Sequence, residues 1–92
     1  MTITIGIAPH KGSHTAVAID SNEHVRDEIR VRSCSTQTVC LREWAERFEE
    51  RTWAAESAHG LGYLLAQQLV AAGQSVIDVR PVRASRVGVL GS

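Results

Sequence analysis

Three extended runs crowd into the first 32 residues, separated by only a few turn-forming residues each. Connections that short cannot carry the crossover a parallel pair needs, so the runs should pair antiparallel, as a meander. In the first, residues 3–7, Ile3, Ile5 and Ile7 alternate with Thr4 and Gly6, a strand by period and by β-branching. Pro9 should end it, and Lys11, Gly12, Ser13 and His14 read as a turn. The second run, residues 15–20, stops at the turn formers Asp20, Ser21 and Asn22. In the third, Val25–Arg32, Val25, Ile29 and Val31 share one face and Arg26, Glu28, Arg30 and Arg32 the other. That pattern predicts a half-exposed strand at a sheet edge.

The pattern then changes period. Leu41, Trp44, Ala45 and Phe48 are spaced as one face of a helix, with Ser35 and Thr36 as candidate N-caps. Arg42, Glu43, Glu46, Arg47, Glu49 and Glu50 form the solvated face opposite. Residues 51–57 are a short fourth strand that ends in Glu56 and Ser57. A second helix is predicted over residues 61–72, apolar around most of its circumference, with Gly73 as its stop. Residues 75–80 are a fifth strand closed by Pro81, and residues 82–92 begin something without a partner.

The order β-β-β-α-β-α-β fits one mixed α/β sheet with helices packed on it. In such a sheet the first strand is central and the fourth lies parallel beside it, which brings Ala8 next to Glu56. The 92 residues make one small domain, and an apolar share of 43% is enough for a core. Ten basic and ten acidic residues cancel, which removes any global electrostatic case for a polyanionic partner. Cys34 and Cys40 have no second pair and read as reduced thiols of a cytoplasmic protein. No run is long and apolar enough to span a membrane.

Adjacent acids at two strand ends are what a two-metal phosphodiester site requires, because hard Mg²⁺ ions about 4 Å apart need carboxylate oxygens to hold them. Glu56 stands at one such end. At the other, position 8 is alanine. Asp20 and Asp78 have simpler explanations as a turn former and an exposed residue.

Four stretches, Gly6-Ile7-Ala8-Pro9-His10-Lys11, Ser13 to Asp20, Trp53-Ala54-Ala55-Glu56-Ser57 and Gly60 to Leu65, resemble the N-terminal, RuvC-like domain of the DEDD-type insertion-sequence transposases of the one-ten group. The resemblance spans residues 3–92 and implies a ribonuclease-H-like fold. It matches the family's Gly-Ile-Asp-x-x-Lys motif at Gly6, Ile7 and Lys11, with Ala8 at the position of the first metal-binding acid. The family's second acid maps onto Glu56, which the resemblance makes the catalytic and metal-binding residue. Its remaining acids, and a C-terminal domain carrying a catalytic serine, belong to segments this sequence does not contain. The resemblance thus implies a truncated, degenerate domain from an enzyme of DNA transposition and recombination, with Mg²⁺ as cofactor and DNA and a guide RNA as partners. The expectation is a fragment that is inactive alone and does not hold Mg²⁺ tightly.

A second expectation, from a different class, is a small nucleic-acid-binding module without catalysis, or one that pairs with a full-length transposase. Arg80, Arg83 and Arg86, at spacing three, are candidate phosphate contacts or else solvated arginines. Lys11, with His10 and His14 nearby, could contact phosphates or simply belong to a turn. The histidines lack zinc spacing, and Ser57 lacks a nucleophile elbow. Val87, Val89 and Leu90 suggest a homo-oligomer.

Overall fold

A computed structural model describes residues 2–55 and 62–79. Its elements are β1 (Thr2–His10), β2 (Ser13–Ile19), β3 (Val25–Arg32), α1 (Gln37–Ala45), β4 (Glu50–Ala55), α2 (Tyr63–Ala71) and β5 (Val76–Asp78). The five strands form one mixed sheet in the order β3-β2-β1-β4-β5, which is the ribonuclease-H-like arrangement. The meander of β1, β2 and β3 is antiparallel, while β1–β4 and β4–β5 are parallel. As expected, β1 is central and β3 lies at an edge.

Register explains where the core sits. Ile5 is level with Ala18 on one side and Trp53 on the other, so these three side chains share a face. Ile3, Ile5, Ala16, Ala18, Val31 and Trp53 from that face pack against Leu41 and Ala45 of α1 and Leu65 and Leu69 of α2. Both helices therefore cover the same side of the sheet. On the other side Thr4, Gly6, Ala8, Thr15, Val17 and Ala54 remain half-exposed or exposed, and no described helix lies over them.

Several element ends differ from expectation. Pro9 does not end β1, which runs on to His10, and the turn shrinks to Lys11 and Gly12. The parallel ladder to β4 stops at Gly6–Ala54, so Pro9 lies where β1 has one paired neighbour, and there a missing N–H is tolerated. Gly12 has φ +84°, a conformation that a side chain would strain. Helix α1 stops at Ala45, and Phe48 packs on the core from the turn after it, its N–H donating to the Ala45 carbonyl at 2.8 Å. Thr36 is the N-cap residue, but its side chain makes no cap hydrogen bond; its hydroxyl contacts Cys34 Sγ at 3.3 Å instead. Helix α2 presents only Leu65, Ala66 and Leu69 to the core, while Leu64 and Val70 are exposed. Gly73, at φ +81°, follows its end as anticipated. Strand β5 is three residues long, shorter than residues 75–80 suggested, and Val79 adds one bond by donating to the Ala55 carbonyl at 3.1 Å.

The β2–β3 connection is held by Asp20. Its Oδ1 accepts from the backbone N–H of Asn22 and of His24, both at 2.9 Å, and its Oδ2 accepts from Arg26 at 3.4 Å. The backbone N–H of His24, then of Asn22, and the Arg26 guanidinium favour the ionised form and hold its carboxyl below the usual range. Asp20 is thus the turn former that the sequence suggested.

Candidate functional site

The end of the central parallel pair forms a shallow cleft of about 450 Å³ on the sheet. Gly6, Ile7, Ala8 and Pro9 of β1 line it with Val17 of β2, Ala54 and Ala55 of β4, and Val79. Ala8 is exposed there, level with Thr15 on β2. These residues do not fit a divalent cation: every lining side chain is apolar or absent, and none carries a carboxylate. No cluster of three metal-ligating side chains occurs among the described residues. Glu56, Ser57, His59, Arg80, Arg83, Arg86, Val87, Val89 and Leu90 lie outside the described residues.

Lys11 is exposed in the β1–β2 turn, at the same end of the sheet as Ala8. The two histidines near it part company, because neighbouring strand positions face opposite ways. His10 is exposed and level with Ser13. His14 is only 3% exposed, on the helix-covered side, which removes it as a phosphate contact.

His14 was not legible as a buried residue. It shares a 3.1 Å hydrogen bond with Ser33 through Nε2, and among the described residues its Nδ1 has no partner at full hydrogen-bonding geometry. Burial pushes its pKa below the ordinary histidine value, opposed by the Gln37 side chain and reinforced by His10. An unfolded chain takes up a proton near pH 6.5 that the folded one resists, so stability should fall as pH drops from about 6.5 towards the folded pKa. Urea melts should give a lower midpoint at pH 5.5 than at 7.5, with the gap narrowed in His14→Gln. An equal gap in the variant would assign the acid sensitivity elsewhere.

No protein-family model matches the chain. It is 36% identical over 77 residues to the uncharacterized 44.8 kDa protein of insertion element IS116 from Streptomyces clavuligerus. The chain is related to an insertion-element protein. The match takes in 84% of this chain but 19% of the relative, so the chain spans about a fifth of that protein's length. Among the described residues no helix is long and apolar enough to cross a membrane.

Proposed function

We propose that this chain is a RuvC-like transposase domain of insertion-element type that associates with DNA and does not itself cut or join it. What carries the proposal is position 8. It stands two residues past Gly6, the last position of β1 paired with β4, and in sequence Glu56 stands two residues past Ala54, the partner of Gly6 on β4. A two-metal site would need a carboxylate on both strands, and β1 offers a methyl group. Glu56 alone brings one negative charge, too little to hold two hard cations against their hydration. The family's Mg²⁺ chemistry therefore has no complete holder on β1 and β4. Cytoplasmic location, a guide RNA, a full-length transposase partner and phosphate contacts at Lys11, Arg80, Arg83 and Arg86 belong to the same proposal. The guide RNA and the transposase partner draw support from the resemblance, the phosphate contacts from the charge and spacing of those side chains, and the location from Cys34 and Cys40 having no second pair.

Incubation of the 92-residue chain with supercoiled plasmid and with short duplexes in Mg²⁺ or Mn²⁺ should give no nicking and no joining. Cleavage that Glu56→Gln abolishes would overturn the proposal. Ala8→Asp is the complementary test, because position 8 is exposed and can accept a carboxylate without disturbing the core. It should raise Mn²⁺ affinity at least about tenfold, equivalent to about 1.4 kcal/mol, and Glu56→Gln should remove the gain. A tight Mn²⁺ site in the unaltered chain would contradict this account.

A further inference from the structure

The open side of the sheet carries an unneutralised basic strip that leads away from Ala8, and its position follows from register. Ala8 is level with Thr15, and Thr15 with Arg30; His10 is level with Ser13, and Ser13 with Arg32. Residues level across a sheet share a face, so two parallel rows run from β1 to the β3 edge, Ala8–Thr15–Arg30 and His10–Ser13–Arg32. The rows lie about 7 Å apart along the strands, and each spans about 10 Å across them. Thr15 and Ser13 are half-buried, while Arg30, Arg32 and His10 are exposed. Lys11 adds a fourth nitrogen-bearing side chain in the turn at that end.

Side-chain and carbonyl partners separate these arginines from Arg26, Arg47 and Arg51. Arg26 pairs with Asp20 and Arg47 with Asp27, while Arg51 donates to the Ala45 and Phe48 carbonyls and to Gln74. Among the described residues Arg30 and Arg32 have no acidic partner. Arg30 instead donates through Nε to Ser13 Oγ at 3.2 Å, which steadies the guanidinium over the open face. The nearest acid in sequence on that face, Glu28, lies one row further from the Ala8 end, level with Val17.

We infer that Arg30 and Arg32, with Lys11 and His10, form a track for the phosphodiester backbone of double-stranded DNA, crossing β3 and β2 towards the strand end at Ala8. The inference rests on the proposed association with DNA and supplies its surface. Two exposed guanidiniums one row apart, beside hydroxyls of Ser13 and Thr15, suit successive phosphates of one strand. No Phe, Tyr or Trp belongs to these rows, so apart from the small His10 ring the track offers no stacking platform for successive unpaired bases and favours a duplex over a single strand. Phosphate contacts carry no sequence information, so binding through this track should be indifferent to sequence.

The test is fluorescence anisotropy of a labelled DNA duplex against the 92-residue chain over a series of salt concentrations. Unaltered chain should bind with a steep salt dependence. Arg30→Ala/Arg32→Ala should bind about tenfold or more weakly at low salt, with the log–log slope smaller by about two, one for each phosphate left without its guanidinium. Arg30→Lys/Arg32→Lys should keep most of the affinity, which separates the role of charge from that of structure. Arg42→Ala, which removes an exposed charge from α1 on the covered side, should leave binding within about twofold. Equal losses for Arg42→Ala and the double variant would overturn the track in favour of a diffuse charge effect. So would tighter binding of single-stranded DNA or duplex RNA than of duplex DNA. If the unaltered chain binds duplex and the double alanine variant binds equally well, the track alone fails. If the unaltered chain binds no duplex at all, the proposed association with DNA fails with it.

Discussion

Trp53→Ala should leave a large fraction of the chain unfolded at 37 °C. Trp53 is wholly buried in β4, level with Ile5 on one side and Val76 on the other, so its indole lies under both helices at the middle of the core. Its Nε1 also donates to Gln74 Oε1 at 2.9 Å, and Arg51 Nε donates to the same oxygen at 3.1 Å. Truncation would therefore open a ring-sized cavity and strip one donor from the carbonyl that ties β4 to the end of α2. Losses of this kind are about 3–5 kcal/mol, against a total of about 5–15 kcal/mol for a typical domain, with small domains near the bottom. Trp53→Phe should lose less than half as much, because most of the ring volume stays. Urea unfolding followed by circular dichroism reads both. A Trp53→Ala midpoint close to that of the unaltered chain would mean the core does not close around this residue.

A comparison of two adjacent leucines should give the second-largest effect. Leu65 is fully buried against the sheet, whereas Leu64, one position earlier on α2, is 61% exposed. Leu65→Ala should cost about 2–5 kcal/mol, and Leu64→Ala no more than about 0.5 kcal/mol. Similar losses at both positions would show that the outer face of α2 is covered in solution, by a second copy or another partner.

The leucine pair marks the boundary of what could be read beforehand. By composition α2 is apolar nearly all round, so the sequence alone did not say which side would meet the sheet. α1 was easier, because its charged residues leave one apolar stripe, and Leu41 and Ala45 from that stripe are indeed buried. Phe48 belongs to the same periodic stripe yet lies beyond the helix, since periodicity records which side chains meet the core and not whether the backbone between them is still helical. The Pro9 expectation failed for a related reason. Proline stops a strand only where its N–H is needed, and that depends on which neighbour is paired at that residue.

The candidate site divides in the same way. Short turns, β-branched runs and the later change of period were enough to order the seven elements and to make β1 central with β4 beside it, since short loops enforce antiparallel pairing and helical crossovers enforce parallel pairing. Ala8 could likewise be picked out as a missing charge from its place in a motif, which is a property of the chain read in one dimension. Burial of His14 and exposure of His10 came from the alternation of faces once the hairpin turn was reduced to Lys11 and Gly12, a shift of register that no local pattern announced. The alignment of Arg30 and Arg32 with His10 and Ala8 required two successive strand registers, each counted from a turn. Sequence determines which residues lie near one another along a strand; only the paired sheet decides which of them stand level across it, because hydrogen-bond register is a property of two strands together.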